Sequence, residues 1–136
     1  MKLPIRVSEE SREPIYHQIE AQIKSLIVSE QLPPGTPLPS IRALSSDLAC
    51  SIITTRRAYQ NLENSGMIKT VQGKGTFVKE MEQVVKLEAK RKVVYDAFVR
   101  AVGQGKQVGC SKEEMQAIFD EVIRQADEIT GGSEGG

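Results

Sequence analysis

The segment from Leu38 to Val78, LPSIRALSSDLACSIITTRRAYQNLENSGMIKTVQGKGTFV, limits the possible folds of this chain more than any other. It holds two amphipathic stretches in close succession. Ser40 is placed to cap the first, which turns Ile41, Leu44 and Leu48 inward, and Ser51 is placed to cap the second, which runs to about Asn64. Only Ala49 and Cys50 fill the space between them, so the two helices must meet at a tight turn. Gly66 is a C-terminal stop. Ile68 to Val71 and Thr76 to Val78 are β-prone runs around Gln72, Gly73, Lys74 and Gly75, a hairpin signal. Helix, turn, helix and hairpin in that order describe a winged helix-turn-helix.

The flanking segments build around that unit. Residues 1–13 read as a mobile arm. Pro14 suits the first turn of a helix, where a missing N–H costs nothing, and Ile15, Ile19, Ile23, Leu26 and Ile27 then recur at helical spacing on one buried face. That helix fades near Gln31 into LPPGTPLP, a proline-rich stretch read as a rigid connector. Residues 82–102 read as a helix carrying Val84, Leu87, Val94, Phe98, Ala101 and Val102. Its second half, VVYDAFVRAV, is apolar on more than one side and needs a second surface to pack on. Gly103, Gly105 and Gly109 are expected to break the chain. Ser111 and Glu114 then form a capping-box pattern that opens a last helix with a stripe of Met115, Ile118, Phe119, Val122 and Ile123. The expected organisation is a winged helix-turn-helix domain over 1–80, a helical region over 81–130 and a disordered tail over 131–136. The fold class is mainly α with a small β-wing (α+β).

Composition removes several function classes. Hydrophobic residues make up 39% of the 136 and charged residues 26%, the balance of an ordinary globular protein. No apolar run approaches the ~20 residues that span a bilayer, and MKLPIRVSEESREP is too polar for a secretory signal, so a cytoplasmic protein is expected. Cys50 and Cys110 match no metal-ligand spacing and read as two small buried apolar side chains; a redox role would need an exposed thiolate of low pKa. His17 is the only histidine and sits on a helix. With no nucleophile–base pair, carboxylate pair or metal cluster, the sequence carries no catalytic residues and calls for no metal or cofactor.

Net charge is zero, but it is unevenly spread. Residues 40–79 hold six basic side chains (Arg42, Arg56, Arg57, Lys69, Lys74, Lys79) against two acidic ones (Asp47, Glu63), whereas residues 81–136 hold eight basic and ten acidic. A local basic footprint is what phosphate binding needs. With Ile52 at zero and roughly 100° per residue, Thr55, Ala58, Tyr59 and Leu62 fall on one side of the second helix, and Ile53, Arg56, Arg57 and Gln60 on the other. Arg grips guanine O6 and N7 in bidentate fashion and Gln does the same for adenine, so this face fits a helix entering a major groove. A solvated charged face is the competing explanation, and the capped helix before it and the hairpin after it favour the groove. Arg42 can reach a phosphate beside the amides of Ser40 or Ile41, or else pair with Asp47. Gly73 and Gly75 allow close backbone approach while Lys74 supplies charge, a wing suited to a minor groove or flanking phosphates.

PIYHQIEAQIKSLI, LPPGTPLPSIRALSSDL, TTRRAYQNLENSGMI and GKGTFV resemble the DNA-binding domain of GntR-family bacterial transcription regulators, over Pro14 to Val78, about half the chain. The short two-helix C-terminal region is similar to the YtrA-type subfamily, which lacks larger effector domains. The resemblance implies a homodimer on a two-fold-related double-stranded DNA operator. It implies contacts from Arg42, Ser51, Arg56, Gln72 and Gly73, and a C-terminal two-helix dimerisation hairpin. With the neighbours read above, the candidate DNA-binding set is Ser40, Arg42, Ser51, Ile52, Ile53, Thr54, Arg56, Arg57, Gln60, Gln72, Gly73, Lys74 and Gly75. The candidate dimer contact is Val84, Leu87, Val94, Tyr95, Phe98, Val102, Ile118, Phe119 and Val122. The chain departs from the family pattern in two respects. Ile52 and Ile53 stand where relatives carry basic or polar residues, and either touch thymine methyl groups or change which bases are read. Thr55 replaces a more usual apolar core residue, which would shift the seat of the helix.

The function expected is a sequence-specific DNA-binding transcriptional regulator, a repressor, with the 51–64 helix in the major groove and the 72–75 wing on the minor groove or phosphates. The alternative is a winged-helix module that binds protein or RNA, favoured by the neutral net charge and the two isoleucines. A small-molecule effector stays open as a partner. A two-helix appendage encloses little of the ~300–1,000 Å³ that a ligand pocket needs, which leaves the dimer interface and the glycines from Gly103 to Gly109 as the place for a change in wing spacing.

Overall fold

Eight elements follow one another in residues 2–134, the part of the chain that the computed structural model describes, with side chains described to Glu128. They are α1 (Ile15–Val28), β1 (Pro37–Leu38), α2 (Ile41–Leu48), α3 (Ile52–Asn64), β2 (Ile68–Val71), β3 (Gly75–Val78), α4 (Gln83–Gln107) and α5 (Lys112–Glu134). They fall into two compact units, Met1–Lys92 and Val93–Gly136. The division therefore comes within α4 and not at the expected boundary after residue 80.

The first unit is built on a closed core. Ile19 and Ile23 of α1, Leu44 of α2, Ala58 and Leu62 of α3, and Ile68 and Val78 of the strands are all essentially inaccessible to solvent. Burying each large aliphatic side chain contributes about 1.5–3 kcal/mol relative to exposure. The spacing read for α3 holds, with Thr55, Ala58, Tyr59 and Leu62 buried, and that for α1 holds from Ile19 onward, with Ile19, Ile23, Leu26 and Ile27 buried while Ile15, in the first turn, is half-buried. Asn61 of α3 donates to a carboxylate oxygen of Glu20 on α1 at 2.9 Å and ties the two helices together at the edge of this core.

Capping decides where the helices start and stop. The Ser40 hydroxyl accepts from the Ala43 N–H at 3.0 Å, and the Ser51 hydroxyl accepts from the Thr54 N–H at 3.1 Å. α2 ends in a left-handed residue that is not glycine. Ala49 has φ 54° and ψ 46°, and the Cys50 N–H donates back to Ser45 O at 3.0 Å. This sharp reversal delivers the chain to Ser51 after so few residues. Gly66, at φ 79°, ends α3, with the Gly66 N–H donating to Glu63 O and the Met67 N–H to Leu62 O.

The hairpin belongs to a three-stranded antiparallel sheet of order β1-β3-β2, with Ile68 opposite Val78 and Val71 opposite Gly75. The proline-rich connector thus supplies a strand that its composition hides: Pro37 faces Phe77 and Leu38 faces Thr76. An edge strand tolerates proline because its outer side needs no N–H. The arm expected to be mobile is also tied down. Leu3 and Ile5 are buried, the Gln22 side chain accepts from the Arg6 N–H at 3.0 Å, and that of Gln18 accepts from the Ser8 N–H at 2.8 Å.

In the second unit the expected breaks at Gly103 and Gly105 do not occur. α4 continues to Gln107 and turns at Gly109, whose φ is 77°. Gly105 is a packing residue: a Cβ there would lie 2.6 Å from Met115 Sδ. The capping box at the start of α5 forms in both directions. The Glu114 N–H donates to Ser111 Oγ at 3.1 Å, and the Ser111 N–H to Glu114 Oε1 at 2.8 Å. The Ser111 N–H, and after it the Ser111 hydroxyl, hold the Glu114 carboxyl below the usual carboxylate range. Phe98 and Phe119 meet edge to face with centroids 5.5 Å apart. α5 runs to Glu134, so residues 131–134 of the expected tail are helical, while Gly135 and Gly136 lie outside the described residues.

Candidate nucleic-acid interface

The exposed side of α3 carries the residues that its periodicity placed there. Ile53, Arg56, Arg57 and Gln60 are solvent-exposed, opposite the buried stripe from Thr55 to Leu62. The four are not equivalent. The Arg57 guanidinium lies over the Tyr16 ring of α1, 3.9 Å from its centroid, a cation–π contact that aims this side chain along the domain surface. Among the described residues no ion pair holds Arg42 or Arg56, so the pairing of Arg42 with Asp47 does not form. The isoleucines part company as well: Ile52 is half-buried, and Ile53 is 76% exposed.

Three polar contacts that the sequence did not signal hold this surface in register. The Tyr59 hydroxyl, on the buried side of α3, donates to Pro39 O at 2.7 Å, immediately before the Ser40 cap. It fixes the start of α2, and with it Arg42 and the free amides there. Burial pushes the Tyr59 hydroxyl far above the usual phenol range, so it remains a donor. Ser45 of α2 donates to Thr55 Oγ1 at 2.8 Å in the core between the two helices, with Cys50 Sγ 3.3 Å from the same oxygen. The hydroxyl of Thr55 therefore takes the place of an apolar contact with a hydrogen-bonded one, and Cys50 is half-buried within that cluster. Glu63 accepts from the Thr70 N–H at 3.0 Å and links the end of α3 to the first strand of the wing. Each joins residues apart in sequence, and each would pass for an ordinary core or surface residue in the sequence.

The wing tip spans Gln72, Gly73, Lys74 and Gly75, all exposed. Gly73 has φ 79° and Gly75 φ 123°, backbone that side-chain-bearing residues rarely adopt, and the Lys74 N–H closes the turn on Val71 O at 2.9 Å. Ser40, Arg42 and Ser51 are exposed, and Thr54 is half-buried with Oγ1 2.8 Å from Ser51 Oγ. Among the described residues no cluster of His, Cys, Asp or Glu is suited to a metal ion, and no helix is long and apolar enough to cross a membrane.

Comparison with known proteins assigns this architecture. The family model for bacterial regulatory proteins of the gntR family matches residues 15–78. The HTH-type transcriptional regulator YhcF of Bacillus subtilis is 37% identical over 106 residues, spanning 78% of this chain and 87% of its own. The chain belongs to the GntR family. The HTH-type transcriptional repressor YtrA of Bacillus subtilis is 29% identical over 118 residues, 87% of this chain and 91% of its own, so the likeness to YtrA-type members extends through the C-terminal helices. The AraR(DBD) structure in complex with an operator is 28% identical with a TM-score of 0.51, and covers 57% of this chain and 98% of its own. The chain is a winged helix-turn-helix transcriptional regulator of the GntR family.

Proposed function

We propose that two copies of this GntR-family chain bind a two-fold-related DNA operator and repress transcription by occupying it. The carrying observation is the outward face of α3, where Ile53, Arg56 and Gln60 stand beside one another with Arg56 in no ion pair. Capped by Ser51 and seated on the core, this helix is presented as a rigid unit to a major groove. Arg42 and the amides of the α2 N-terminus take a phosphate, and Lys74 with the two wing glycines takes the minor groove or its phosphates. The complex of the AraR domain with an operator supports duplex DNA as the target.

The homodimer is supported by the C-terminal helices. The nine side chains expected at the contact, Val84 through Val122, are all between 40% and 56% exposed. Apolar surface on that scale marks an interaction site. Pairing would set two α3 helices about one helical turn, ~34 Å, apart. The place of action is then the cytoplasm, with the chromosome.

Selection of bound duplexes from a random pool tests the reading, with a two-fold-related consensus as the expected result. Arg56→Ala should weaken binding to that consensus by ~1–3 kcal/mol and relax the preference at one position per half-site, and affinity should fall steeply with salt. A chain that stays monomeric and prefers no duplex in dilute buffer would refute it.

A further inference from the structure

Ile53 is the one large hydrophobic side chain left exposed among the described residues 2–82. It sits in the first turn of α3, on the exposed face that also carries Arg56 and Gln60. The polar atoms at this helix head are already engaged, since Ser51 Oγ accepts from the Thr54 N–H and lies 2.8 Å from Thr54 Oγ1. Ile52, its neighbour in the chain, is half-buried and so turned partly to the domain. What projects from the head of the helix is a single aliphatic side chain in a basic, polar setting.

We infer that Ile53 reads the C5-methyl group of a thymine in the major groove, an assignment that rests on the operator-binding reading above. The surface facing this helix in such a complex is anionic and polar, and the thymine methyl is the apolar group that a base edge displays there. A protein partner would call for a broader apolar patch than one side chain. The β-branched side chain is stiff at χ1 in a helix, so little freedom is lost when it meets its target. Three residues of helix rise by ~4.5 Å, close to one base-pair step of ~3.4 Å. The thymine therefore belongs to the base pair that Arg56 contacts or to the one beside it.

Deoxyuridine scanning of the selected duplex tests this, because replacing thymine by uracil removes the methyl group and nothing else from the groove edge. Each thymine is replaced symmetrically in both half-sites, and the duplexes are titrated with the full chain and with Ile53→Ala and Ile53→Val. One position should weaken the parent chain about fourfold per half-site, the value of one buried methyl. Ile53→Ala should bind the thymine and uracil duplexes equally at that position, and Ile53→Val should retain most of the difference. An exposed site tolerates either change, and an unaltered circular dichroism spectrum checks the fold. Binding with no thymine–uracil difference at any position, or with a difference that Ile53→Ala leaves intact, overturns the assignment and leaves operator binding standing. Absence of binding to any duplex overturns both.

Discussion

The two units of this chain hold similar proportions of apolar residues and do opposite things with them. The first closes Ile19, Ile23, Leu44, Ile68 and Val78 into a core with no solvent access worth noting. The second leaves Phe98, Val99, Val102, Ile118, Phe119 and Val122 between 40% and 55% exposed, and α4 buries none of its residues. A helix–turn–helix pair has only one inner seam. Side chains that are apolar on two sides of α4 cannot all reach that seam, so part of that apolar surface stays exposed. One unit closes its core within a single chain; the other leaves its apolar side chains half-exposed.

Mutations can break that contrast. The largest effect is expected from Ile19→Ala, which should remove ~2–5 kcal/mol of stability by opening a cavity in the closed unit, measured by urea unfolding at fixed concentration. Phe119→Asp should do something different. It should raise the dimer dissociation constant by about 100-fold, the ~2–3 kcal/mol of a central aromatic contact, while the first unit keeps its secondary structure. Sedimentation equilibrium reads the first quantity and circular dichroism the second. Loss of the first unit's structure on that change would show that the two cores are not independent.

Two smaller effects sharpen the picture within each unit. Ala49→Gly should stabilise the first unit by about 0.5–1 kcal/mol, because glycine adopts the left-handed conformation at the α2–α3 turn without the Cβ penalty. The second unit should show a modest acid sensitivity through Glu114. Its carboxyl titrates lower in the folded chain than its ordinary value of 4.5, so the stabilisation is full above that value. It is lost as pH falls through the lower, folded value. Glu114→Gln should flatten this part of the acid unfolding profile.

Much of the candidate interface was legible because it is local. The buried and exposed faces of α3 follow from 3.6-residue periodicity, and Ser40, Ser51 and the Ser111–Glu114 box bond within one turn of themselves. The misreadings share a different physical origin. Residues 1–13 looked mobile because what ties them down, the core that buries Leu3 and Ile5 and the Gln18 and Gln22 side chains of α1, lies outside the segment itself. Pro37 and Leu38 looked like a connector because a strand of that length exists only through its pairing with β3. Gly103 and Gly105 looked like breaks because glycine costs a helix roughly 1 kcal/mol, yet α4 runs through both, and Gly105 makes room for Met115.

The sequence by itself determined the order of the helices and the hairpin, the caps that start α2, α3 and α5, the inward and outward faces of the recognition helix, and the basic bias of the region around it, since all of these depend on residues within a few positions of one another. Tertiary structure alone decided how those parts are aimed. The Tyr59 hydroxyl on Pro39 O, the Ser45–Thr55 pair and the Glu63 link to Thr70 join elements across the fold. Only there does it emerge that Arg57 is stacked, that Arg56 is not ion-paired, and that Ile53 and not Ile52 faces outward.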